Sequence, residues 1–176
     1  QWSRIWINEG YGENRISNVQ ISNAQVGIQI EPLTTYTRNK TTIENSIIKN
    51  CRFSGVIARY ANLEMSNCLI TNCGDYCLDL EVGTFDMKHL TIANYFSQDQ
   101  RETPALFVSD SCYALYGGGE TKANFYNTII YGDNSNELVE RKHDYYGSNY
   151  NFYNCLIRTT ENSTNFHDCL LNQNPN

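Results

Sequence analysis

The sequence predicts an all-β fold, a right-handed parallel β-helix of about six coils with two longer loop insertions. Three observations carry that prediction. A nine-residue phrase occupies residues 43–51, 65–73 and 87–95, each copy 22 residues after the last. Within the phrase, apolar residues alternate at i and i+2 and many are β-branched, the signature of strands rather than helices. Polar residues hold fixed places around each apolar pair: one column is Asn18, Asn45, Asn67, His89, Asn127, Asn154 and Asp168, and a second is Asn23, Asn50, Asn72 and Asn94.

Stacking coils about 4.8 Å apart places like residues above one another. The apolar columns are then Ile16, Ile43, Met65, Met87, Phe125, Phe152 and Phe166, and Ile21, Ile48, Ile70, Ile92, Ile130, Ile157 and Leu171. Each Asn side chain can bend its own backbone and bond the amide of the next coil. A buried or half-buried Asn needs such a partner. A second apolar segment follows each phrase, at residues 26–30, 55–58, 76–80, 105–108 and 137–139, so a coil supplies at least two strands.

In chain order, residues 1–14 carry Trp2, Trp6 and Tyr11 around Ile5 and Ile7. They read as a partial coil, or as an aromatic sugar-binding surface. Residues 31–40, with Pro32, Tyr36, Arg38 and Lys40, form a polar excursion. After three regular coils, the wide step from His89 to Asn127 places an insertion within residues 95–123. Its Gly117, Gly118 and Gly119 read as a flexible turn; no Lys-Ser/Thr follows, which excludes a phosphate-binding loop. Residues 133–150 form a second excursion with His143, Asp144, Tyr145, Tyr146 and Tyr150. The last phrase, at Asp168, comes only 14 residues after Asn154. That is too short for a full coil, so it is expected on another face of the same coil.

The Ile-x-Asn-Cys-x-Ile-x-Asn phrase followed by Gly-Val or Gly-Ile resembles the right-handed parallel β-helix repeat proteins of the pectate-lyase-like superfamily. More narrowly, the chain is similar to secreted or surface-lipoprotein members from gut Bacteroidetes, over roughly residues 15–171. The resemblance implies a place outside the bacterial cell, on its surface or in the periplasm, and a carbohydrate as ligand or substrate. The matching residues are those that stack in the core, so the likeness speaks for fold more than for activity.

A chain of 176 residues with 40% hydrophobic content is one domain with enough apolar material for a core. A net charge of −6 argues against nucleic acid as a partner. No apolar run reaches the ~18–20 residues of a membrane span. No leader precedes Gln1, so a processed chain or a fragment of a longer solenoid is expected. The seven cysteines, Cys51, Cys68, Cys73, Cys77, Cys112, Cys155 and Cys169, follow coil spacing and read as buried thiols. They show no paired zinc spacing, and a Cys51–Cys73 bridge stays open as an alternative. No cofactor is implied.

Several side chains are candidates for chemistry. Glu64 and Asp86 share an outward column, where stacking would bring their carboxyl groups to about 5 Å. They could hold Ca²⁺ or serve as acid and nucleophile on a glycosidic bond; the plainer reading is a solvated face neutralised by Lys88. Arg59, Glu81 and Glu31 read as a cross-coil ion-pair ladder. With Asp79 the group loosely echoes the arginine base and Ca²⁺-binding acids of pectate lyases; Ca²⁺ is implied only under the lyase alternative. His89 sits in an Asn slot and reads as structural, whereas His143 belongs with Tyr145, Tyr146 and Tyr150 as a carbohydrate-binding set on a loop. Ile47, Leu69, Ile129, Leu156 and Leu170 form an outward apolar stripe, expected to be covered by a loop, a further domain or another protein chain. A surface module binding carbohydrate or a protein partner, a polysaccharide lyase or glycoside hydrolase acting on an acidic glycan, and a structural segment of a larger surface protein all remain open.

Overall fold

Asparagine tolerates a left-handed backbone better than most residues that carry a Cβ, and this explains its repetition here. Asn18, Asn45, Asn67, His89, Asn127, Asn154 and Asp168 have φ between 51° and 57°, and Asn23, Asn50, Asn72 and Asn172 between 54° and 60°. Each such residue turns the chain through a corner, and the pairs Asn18 and Asn23, Asn45 and Asn50, Asn67 and Asn72, and Asp168 and Asn172 each bracket a strand of two or three residues.

The computed structural model describes residues 2–8, 12–32, 39–115 and 117–174. Its strands form three faces. The first stacks Ile5–Ile7, Ile28–Ile30, the front of Val56–Ser66, the front of Leu78–Lys88, Leu106–Ser109 and Leu138–Arg141. The second stacks Asn14–Ser17, Lys40–Glu44, the rear of the same two long strands, Lys122–Tyr126, Asn149–Tyr153 and Phe166–His167. The third runs from Gln20–Ser22 to Leu170–Leu171 in seven rungs. All these pairings are parallel, and the fold is the right-handed parallel β-helix, the hand that parallel crossovers take.

One continuous apolar core fills the interior. The Ile48, Ile70, Ile92, Ile130 and Ile157 column is fully buried, and Phe125 stacks on Phe152 with centroids 4.7 Å apart. On the first face, the register of Ile30, Ala58, Leu80 and Val108 ends on Glu140. Burial, and after it the charge of Glu161, pushes that carboxyl up to about 7. A carboxyl in a core column ends apolar stacking on this face.

Two expectations are corrected. The first Asn column is exposed, whereas Asn50 and Asn72 of the second are half-buried as expected; cross-coil amide bonds join Asn67 to Asn45 and Asn72 to Asn50. Backbone conformation, not amide satisfaction, is the main reason for the column. Asn94 departs from its own column: it lies outside the left-handed set, is wholly buried, and bonds the backbone of Cys73 and Asp75. The last phrase also forms a further coil rather than a second face of the sixth. Phe166 pairs with Phe152 and Leu170 with Leu156, and the chain reaches this register in 14 residues by omitting the first face.

Candidate functional site

The strands Val56–Ser66 and Leu78–Lys88 bring two acidic groups into register. On the second face Glu64 pairs in register with Asp86. Lys88 Nζ lies 2.7 Å from Asp86 and 3.7 Å from Glu64, and Lys40 Nζ lies 2.5 Å from Glu64. The hydrogen bond from Lys40 holds the Glu64 carboxyl below its usual range. Such a group does not store a proton for acid catalysis.

On the first face Arg59 reaches three carboxylates: Glu81 at 2.6 Å, Glu31 at 3.1 Å and Asp79 at 3.6 Å. The cluster points away from the core yet is largely enclosed: Asp79 and Glu81 are buried, at 4% and 6% exposure, and Arg59 and Glu31 are half-buried. Asp79 lies in register between Ile57 and Phe107, and Tyr76 packs on Phe107 at 5.3 Å. Burial, then repulsion by Glu81, pushes the Asp79 carboxyl up to about 8, and its Oδ1 has no hydrogen-bond partner. This is a closed ion-pair group with one protonated member.

The cover comes from the first insertion. After the strand Leu106–Ser109, residues Ser111–Cys112 and Gly117–Gly118 make the one antiparallel pair among the described residues. The Cys112 thiol, buried and beside Glu81, is pushed up to about 12 by desolvation first. The glycines are not a flexible turn. A Cβ on Gly117 would fall 2.3 Å from the Tyr60 hydroxyl, and one on Gly118 2.4–2.6 Å from the Tyr146 ring. They are glycines so that two tyrosines can lie against their backbone. Below them, Tyr60 and Val82 hold φ of 48° and 55° at the corner between first and second faces. For a β-branched valine this is strain, which the surrounding packing must hold in place.

The second insertion meets this hairpin through a buried acid. Asp110 has no exposed side-chain surface. Its Oδ2 accepts the backbone N–H of His143 at 2.7 Å, and its Oδ1 lies 2.7 Å from His143 Nδ1. Asp110 N–H donates to Arg141 O, and its own carbonyl accepts from Gly119. The 3-10 turn Asp144–Tyr146 follows, ended by Gly147 at φ 67°. Between the two insertions lies a cleft of about 420 Å³, lined by Ser111, Cys112, Tyr113, Gly117, Arg141, His143, Tyr145 and Tyr146. Tyr113 is 83% and Tyr145 74% exposed. Arg141 lies over the Phe107 ring at 5.4 Å and pairs with no carboxylate among the described residues.

The structure thus brings His143, Tyr145 and Tyr146 together, and does not place Tyr150 with them. Tyr150 belongs to Asn149–Tyr153, faces the core fully buried, and donates its hydroxyl to Arg141 O at 3.0 Å. His89 turns a corner at φ 55°, as its Asn slot demands. Trp2 and Trp6 lie on the first, partial coil, where Ile5–Ile7 pairs with Ile28–Ile30; Tyr11, Tyr36 and Arg38 lie outside the described residues. Ile47 and Leu170 on the apolar stripe are exposed, while Leu69, Ile129 and Leu156 are half-buried. All seven cysteines are free, with Cys169 alone only partly buried.

Sequence reasoning missed Asp110 and Tyr113, which share no column with the repeat, and Arg141, which does continue the Arg59, Glu81 and Ser109 register. It also missed an outward ladder on the second face: Tyr126 stacks on Tyr153 at 5.0 Å, and Tyr153 on His167 at 4.6 Å. Those rings cover one another's faces, so the ladder shows edges and hydroxyls where Tyr113 and Tyr145 show open surface. Comparison with protein-family models, curated proteins and solved structures returns no match.

Proposed function

We propose that this β-helix is a secreted or cell-surface module that binds carbohydrate in the cleft between its two insertions. One observation carries the reading: two strongly exposed tyrosines, Tyr113 and Tyr145, flank a cleft whose wall is fixed by a fully buried acid. Exposed aromatic rings offer flat apolar surface to the C–H faces of sugars, and Arg141, His143 and the tyrosine hydroxyls supply polar contacts. A rigid solenoid holding irregular loops is a scaffold on which such sites recur. The likeness of the repeat to the pectate-lyase-like superfamily supports both the ligand class and a location outside the cytoplasm. The apolar stripe from Ile47 to Leu170 is then the side against which a further domain or chain of the surface assembly packs.

A glycan array followed by calorimetric titration of the best ligand tests the reading. Tyr145→Ala is expected to weaken binding at least ~10-fold, the scale of a buried aromatic contact, while Glu64→Gln leaves it unchanged. Absence of any glycan binding by the wild-type chain overturns the reading. A parallel lyase assay, following ultraviolet absorbance of unsaturated products, is expected to stay flat, because the candidate acids are either paired with lysine or enclosed.

A further inference from the structure

The cleft holds more than a binding surface needs. A buried carboxylate bonded to one imidazole nitrogen, with the other nitrogen facing an open cleft, is the arrangement that fixes a histidine as a proton acceptor. Asp110 accepts from both the backbone N–H and Nδ1 of His143, each at 2.7 Å. In the neutral ring this sets the proton on Nδ1 and leaves the Nε2 lone pair unengaged; Nε2 has no hydrogen-bond partner among the described residues. The His143 side chain is 39% exposed, on the same cleft as the unpaired Arg141 guanidinium. A loop that only needed tying down would be served by the backbone bond to Asp110 alone.

We infer that the cleft hydrolyses an ester substituent on its glycan, with His143 as general base; this rests on the reading that the cleft binds carbohydrate. Nε2 removes a proton from a water molecule as the water oxygen bonds to the acyl carbon. The carbonyl electron pair moves onto oxygen, and Arg141 stabilises the resulting charge. The imidazolium then returns its proton to the sugar oxygen as the acyl C–O bond breaks, giving a carboxylic acid and a free sugar hydroxyl. Atoms and charge balance with water as the only co-reactant. Cleavage of the glycosidic bond itself calls for two carboxyl groups across the bond, and the cleft lining contains none.

The test uses the full chain with two probes, p-nitrophenyl acetate and a chemically O-acetylated xylan, following nitrophenol and acetate release. His143→Ala is expected to lower kcat ~100-fold or more, with added imidazole restoring part of the rate. Asp110→Asn, a positioning change, is expected to lower kcat ~10–100-fold with little change in KM. Wild-type release no faster than that of His143→Ala on both probes overturns the inference, as does loss in His143→Ala that imidazole does not rescue. Glycan affinity is measured on the same samples: if it persists without hydrolysis, this inference fails alone, and if it is absent, the binding reading fails too.

Discussion

The front and rear halves of the strands Val56–Ser66 and Leu78–Lys88 pose one problem twice and solve it in opposite ways. In the rear halves Glu64 and Asp86 meet in register on an open face, where Lys40 and Lys88 neutralise them and hold Glu64 ionised. In the front halves Arg59 and Glu81 meet beside the Ser111–Gly118 hairpin and Asp79 lies in register with Phe107, and burial forces Asp79 to keep its proton up to about pH 8. The repeat places both groups identically; what lies over them decides their chemistry. Only the covered half borders the cleft.

The largest effect is expected on the covered side. Arg59→Ala leaves Glu31, Asp79 and Glu81 without their shared cation in a closed space, and a loss of ~3–5 kcal/mol of stability in urea titrations is expected. A loss below ~1 kcal/mol would show the cluster to be hydrated. Next comes pH. The Asp79 carboxyl rises from an unfolded value of 3.8 to about 8 in the fold. Between those values the folded state holds a proton that the unfolded chain has released. Stability therefore falls as pH rises through this window, by at most ~1.4 kcal/mol per unit. Asp79→Asn is expected to flatten that slope between pH 5 and 8 in thermal melts. An unchanged slope assigns it elsewhere, Glu140 being the other carboxyl raised into this range.

Smaller effects belong to the open side and the corners. Asn67→Ala is expected to cost ~1–2 kcal/mol, because alanine resists φ of 51°, and Asn67→Gly only a few tenths. Equal costs would mean that the amide bond to Asn45, rather than the backbone, maintains the column. Lys88→Ala is expected to cost less than ~1 kcal/mol and to vanish at high salt, as exposed pairs do.

What the sequence made legible is what repeats. The strand positions of Ile43, Ile48, Val56 and Leu78, the outward pairing of Glu64 with Asp86 and the Arg59 ladder all follow from one period and one alternation. Tyr150 was misassigned to the loop set, although Asn149, Tyr150, Asn151 and Phe152 alternate as a strand that turns Tyr150 inward with Phe152. The cleft was not legible. Asp110 and His143 are 33 residues apart with no shared column, and the Arg101–Glu137 pair that fastens the insertions, at 2.6 Å and fully enclosed, spans 36. Contacts between two non-repeating segments leave no periodic trace. The short final coil leaves no trace for a related reason: the repeat implies an equal circumference, and the chain there leaves out a whole face.

The claim that cover rather than register sets the chemistry is tested most directly by a carboxyl-carbon NMR titration that follows Asp79 and Glu64 in one sample. The account predicts a midpoint near 8 for Asp79 and one below the ordinary 4.5 for Glu64. If both carboxyls titrate together in the ordinary acidic range, the hairpin does not seal the front halves of these strands, and the contrast on which this reading stands is gone.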